Sequence, residues 1–182
     1  MESLRSSVRI TFYAILFSTV VAVAQQPSYM TEVGPVPPAL SLAKTIFVSN
    51  AGSDSGLFPE PFTGDPNRTY SEFYYLLHAT GAFELVSDPA QADIVVELRL
   101  TAPYGPIRYD KSSGTADPLP MFRLVVYDRK THYILWTENQ SIDSALTQKN
   151  HDRNFDEALR SILRLFLQAS GKSLSGPTAA SR

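Results

Sequence analysis

Three histidines, a cluster of carboxylates near the carboxyl end and many scattered tyrosines are the groups in this 182-residue sequence that could do chemistry. His78, His132 and His151 are far apart, and none forms H-x-x-x-H or another close pair of metal ligands. Asp152, Asp156 and Glu157 could serve as acid and base. Their spacing instead predicts the first turn of a helix, where carboxylates meet the positive end of the dipole. No serine lies in G-x-S-x-G. Gly171-Lys172-Ser173 ends like a phosphate loop. However, Phe166 stands where the first glycine belongs, and the triplet follows a helix instead of opening one. Cysteine is absent, which excludes disulfides, thiolate metal sites and a cysteine nucleophile. No catalytic residue, metal ligand or cofactor is therefore assigned. A formal charge of −2 supplies no basic field for nucleic acid.

The elements that would position a site follow from periodicity. Ala92 to Leu100 alternates, with Ile94, Val96, Leu98 and Leu100 on one face and Val95, Glu97 and Arg99 on the other, so it reads as a strand buried on one side. Lys44–Asn50, Phe83–Val86, Met121–Tyr127 and His132–Glu138 read as further strands, with Asp128–Thr131 as a turn. The pattern leaves the face of Trp136 open. Thr69-Tyr70-Ser71-Glu72 has the form of a capping box, and Gly81 supplies a left-handed stop. Asn154-Phe155-Asp156-Glu157 reads as the opening of a last helix, whose apolar stripe is Phe155, Leu159, Ile162, Phe166 and Ala169. Ala51–Asn67 and Pro103–Pro120 read as loops, the second long enough to be either functional or a loose hairpin tip. The fold class expected is a two-layer α/β sandwich. It has a mixed sheet of four to five strands with two helices on one face, in the order β-α-β-β-β-β-α.

The start of the chain reads as a targeting segment. Arg5 and Arg9 precede an apolar run from Ile10 to Ala24, and Ala22-Val23-Ala24 fits a signal peptidase site. That run of about 15 residues is short of the ~20 needed to span a bilayer. No cysteine follows for a lipid anchor. Residues 1–24 are thus expected to be a cleaved signal peptide, 25–43 a flexible lead, 44–171 the α/β domain and 172–182 a disordered tail. The mature protein would be periplasmic or secreted, with no stable membrane span.

Thr80-Gly81-Ala82-Phe83-Glu84-Leu85-Val86, then Ala92–Val96, then Phe122–Asp128 with its return strand and a closing helix, resembles the small amino-terminal domain of TolB. CsgG-type envelope lipoproteins use the same kind of domain. The likeness covers about Lys44 to Gly171. His132 stands where the family has a glycine after the hairpin threonine, the Pro103–Pro120 loop is longer, and no propeller repeats follow. The resemblance implies a bacterial envelope domain that binds another protein and is not catalytic. If helices cover one face of the sheet, the other should display Glu97, Arg99, Arg123, Val125 and Tyr127. Of these, Arg99, Arg123 and Tyr127 have the chemistry of a protein interface. The opposing readings are a small hydrolase or ligand-binding enzyme with a pocket between loops 51–67 and 103–120, and a purely structural envelope component.

Overall fold

The computed structural model describes residues 35–103 and 119–172. The expected signal peptide, nearly all of the 103–120 loop and the tail from residue 173 lie outside the described residues.

A five-stranded mixed sheet forms the frame. Its strands are β1 (Thr45–Ser53), β2 (Glu84–Leu85), β3 (Ile94–Thr101), β4 (Met121–Asp128) and β5 (Ile134–Ser141), in the order β2-β1-β3-β4-β5. β1 runs parallel to β2 and β3, while β4 and β5 return antiparallel. The alternation in β3 is realised as expected. Ile94, Val96, Leu98 and Leu100 are all at most 1% exposed, beside Phe122, Leu124 and Val126 of β4. Helices α2 (Arg68–Thr80) and α3 (Gln148–Ala169) pack on that apolar face. Phe73 and Leu77 come from the first helix, and Phe155, Leu159, Ile162 and Phe166 from the second. The Phe155 ring meets Phe122 edge-on at 4.9 Å. Trp136 belongs to this face, with its ring 6.3 Å from Phe166.

Several boundaries differ from the sequence reading. Helix α2 begins before the proposed capping box. Asp65 accepts the amide of Asn67 through its carboxylate and the amide of Arg68 through its carbonyl, so the turn starts earlier. Thr69 is then inside the helix and 1% exposed, and Glu72 turns to the Arg68 side chain instead of a cap. Helix α3 begins at Gln148, with Thr147 accepting from the Asn150 amide. Asn154 is therefore no cap, and its side chain donates to the Asp143 carbonyl. Strand β5 starts at Ile134 instead of His132. The Asp128 carboxylate gathers the amides of Lys130 and Thr131 and the Thr131 hydroxyl, which prolongs the turn. Its last corner puts His132 at a φ of 61°, a conformation glycine adopts without strain. The stretch read as a flexible lead holds a short helix α1 (Pro38–Leu42), whose Leu40 is fully buried in the core.

Candidate functional site

On the face away from α2 and α3, strand register decides which side chains meet. Arg99 stands directly opposite Arg123, Glu97 opposite Val125, and Val95 opposite Tyr127. Across the next seam, Arg123 faces Asn139, Val125 faces Thr137 and Tyr127 faces Ile134. All five residues expected on this face are on it, and no described helix covers it. Arg99 and Arg123 are exposed, Glu97 and Tyr127 half-buried, and Val125 is 4% exposed.

Two guanidinium groups directly opposite each other repel. The chain answers one of them. Arg99 donates to the Asp54 carboxylate at 2.8 Å, and Asp54 also accepts the Ala102 amide at 3.0 Å. That backbone bond foremost, with Arg99 assisting against the opposing effect of burial, holds the Asp54 pKa below the ordinary carboxylate value. Arg123 forms no ion pair among the described residues. Glu97 is not the partner of Arg99, although it lies two residues away on the same strand. The arrangement offers exposed arginine donors beside an apolar patch and a phenol, which is chemistry for gripping carboxylates on a protein surface.

A second charged centre lies on the helical side and was not foreseen. Arg68 inserts its guanidinium between α2, α3 and the loop before α2, with its side chain only 13% exposed. Nε bonds Glu72, Nη1 bonds Asp152 and both oxygens of Thr63, and Nη2 bonds Asp156 at 3.1 Å. Its carbon end lies 4.2 Å from the centre of the Phe155 ring. Burial alone would lower the Arg68 pKa. Hydrogen bonds to Glu72 and Asp152 outweigh it and raise the value. Burial likewise would raise the pKa of Asp152, but the Thr63 amide, Arg68 and the Thr63 hydroxyl bring it below the usual range. The helix-dipole explanation for Asp152 and Asp156 fails, because no acidic residue stands in the first turn of α3. These carboxylates are there to receive Arg68. With all three carboxylates bonded to the one guanidinium, the cluster is a tie between elements.

The histidines are not brought together. His78 sits in the last turn of α2, His132 at the β4–β5 turn, and His151 on α3 with its ring edge-on to Phe62 at 6.1 Å. A shallow depression of about 440 Å³ beside His151 is lined by Glu60, Pro61 and Gln148. Among the described residues no three His, Asp or Glu side chains gather as a metal site. No described helix is long and apolar enough to cross a membrane.

No protein-family model and no curated protein matches the chain. Solved structures of similar chain path include a hypothetical protein from Chlamydia trachomatis. It is 11% identical, with 71% of this chain and 99% of that one covered, at a TM-score of 0.46. A DUF4136 family protein from Bacteroides thetaiotaomicron is 12% identical over 75% of this chain and 92% of its own, at 0.45. TolB from Acinetobacter baumannii is 15% identical over 65% of this chain and 29% of its own, at 0.32. Likeness at this level fixes neither kinship nor role.

Proposed function

We propose that the protein is an exported, non-catalytic α/β domain that binds another protein in the bacterial cell envelope. The uncovered face of β3 and β4 is the binding surface, and Arg99, Arg123 and Tyr127 make the principal contacts. The observation that carries this reading is the register of Arg99 against Arg123, with an apolar valine and a tyrosine in the same patch. Such a patch matches the composition of interface cores, which favour arginine and tyrosine around a desolvated centre. A partner carboxylate between the two guanidiniums would relieve their repulsion and accept bidentate bonds. Export is supported by the charged start, apolar run and Ala22-Val23-Ala24 of the leading segment. The envelope setting is supported by the sequence resemblance to the TolB and CsgG-type domains.

The double substitution Arg123→Ala with Tyr127→Ala tests the surface. Both side chains point away from the core, so the circular dichroism spectrum is expected to stay that of the parent. Proteins that co-purify from envelope fractions of the native host should be lost. An unchanged set of partners would remove the binding surface from this face.

A further inference from the structure

The two edges of the sheet are finished very differently. On one side β2 is two residues long, a short edge of the kind that discourages further pairing. On the other side β5 runs eight residues, from Ile134 to Ser141, paired on one flank only among the described residues. It contains no proline, lysine or arginine, the usual devices that blunt an edge. Its entry is apolar, with Tyr133 75% and Ile134 55% exposed.

The ladder fixes which amides point away from β4. Ile142 donates to the carbonyl of Pro120, the residue that follows in register opposite it. Hydrogen-bonded pairs alternate along antiparallel strands, so Gln140, Glu138 and Trp136 also point their backbone groups inward to β4. Thr137, Asn139 and Ser141 point theirs outward, where the Asn139 amide donates to the Glu138 carboxylate at 3.1 Å and the Ser141 carbonyl accepts from the Gln140 side chain at 3.2 Å. All three are exposed residues.

Side chains decide what could pair there. Beyond β5 lies a groove of about 250 Å³ against α3, lined by Gln140, Asp143, Glu157 and Ser161 among others. Glu138 stands on the same face of β5 as Trp136. Among the described residues, Glu157 alone of these carboxylates has a cation nearby, Arg153 at 3.8 Å, and both side chains are more than half exposed. A second copy of the chain is a poor occupant. Full antiparallel overlap of β5 with itself, keeping matching faces, is centred on Thr137 or Glu138. Either register sets two Glu138 side chains diagonal or opposite to each other, an unfavourable contact.

We infer that β5 is a docking edge for an extended, proline-free segment of a partner protein. That segment adds as a sixth strand and carries lysine or arginine at alternate positions facing Glu138, Asp143 and Glu157. Backbone bonds to Thr137 and Ser141, and to Asn139 once a basic side chain draws the Glu138 carboxylate off its amide, supply the pairing, and the alternate basic side chains supply the selectivity. This surface is separate from the arginine face and stands whether or not that face binds.

The test uses the full chain and a synthetic eight-residue peptide of alternating lysine and valine, with a glutamate–valine counterpart. The lysine peptide should slow hydrogen exchange at the amides of Thr137 and Ser141 at least tenfold. It should also change the emission of Trp136, the single tryptophan. The glutamate peptide should bind at least tenfold more weakly. Asn139→Pro and Thr137→Pro each remove one outward donor and leave the inward ladder, so each should weaken binding tenfold with an unchanged circular dichroism spectrum. No protection at millimolar peptide, equal binding of the two peptides, or full binding by both folded proline variants would overturn the inference. A free chain that is dimeric, with the Thr137 and Ser141 amides already protected, would give the edge to a second copy and overturn it as well.

Discussion

Leu98 and Arg99 are neighbours in sequence and belong to opposite worlds. Leu98 is 1% exposed under the helices, and Arg99 has half its side chain in water. The contrast is sharper between Arg99 and Arg68. On the covered side the chain meets its arginine with three carboxylates, a threonine and an aromatic ring. On the open side, among the described residues, it supplies one aspartate for two opposed guanidiniums. Charge alone therefore does not mark a binding site. Bonding within the chain tells the two apart: Arg68 is held at every nitrogen, while among the described residues Arg99 has one carboxylate partner and Arg123 has none.

The largest effect should come from the covered side. Leu98→Ala is expected to cost about 2–5 kcal/mol in urea unfolding, the range for a fully buried leucine. A cost under ~0.5 kcal/mol, as at a surface position, would mean the two faces are not distinct. Next comes the pair of arginines. Arg68→Ala should cost about 2–3 kcal/mol. This is below the 3–5 kcal/mol of a wholly buried ion pair, because Glu72, Asp152 and Asp156 keep 21–38% of their side-chain area exposed. Arg99→Ala should cost under about 1 kcal/mol. Equal costs from the two would erase the comparison.

Acid sharpens the same distinction. Asp152 has a depressed pKa when folded. Below the unfolded value of about 3.9 the unfolded chain binds the proton more readily, so stability rises with pH there. The contribution of Asp152 is complete above about pH 5 and is lost as pH falls through its folded pKa. Urea midpoints between pH 3 and 7 should therefore show a shallower acid limb for Asp152→Asn than for the parent. An unchanged limb would assign the acid sensitivity to Asp54 and Asp93, whose pKa values are also lowered.

The smallest effect concerns the hairpin corner. His132 at positive φ carries a strain of about 1–2 kcal/mol. Glycine removes that strain and gives back about 0.4–1 kcal/mol through the freer unfolded chain. His132→Gly should thus raise the melting temperature slightly, by up to about 1 kcal/mol of stability. A fall would show that the imidazole makes a contact of its own.

What could be read in the sequence was what depends on near neighbours. Period-two alternation in Ile94–Leu100 placed the buried face correctly, and Gly81 and Gly171 do adopt the left-handed conformations that end the helices. The residues of the open face follow from the same alternation. What could not be read depends on distant partners. Arg68 meets Asp152 and Asp156 more than eighty residues away, and no local spacing announces such a contact. Helix starts failed for a related reason. Thr69 and Asn154 look like caps locally, but one is drawn into the core and the other bonds a carbonyl outside its own helix. Thr147, the real cap of α3, lacks the acidic residue three positions on that makes a capping box recognisable. Leu40 was missed because the short run Ala39-Leu40-Ser41-Leu42-Ala43 after three prolines is too brief to display a periodicity.

The parallel pairing of β1 with β3 at the centre of the sheet has a consequence in time. Ile46 meets Ile94 across about fifty residues of chain. Closing such a span costs about 3 kcal/mol of entropy before any contact repays it. The β4–β5 hairpin needs only the short turn organised by Asp128 and can form in microseconds. The strands at the outer half of the sheet are therefore assembled while its middle is still open. β1 must then find a template whose free edge is already in place. The seam expected to close late is the one in the sheet's interior, and folding should be slowed there.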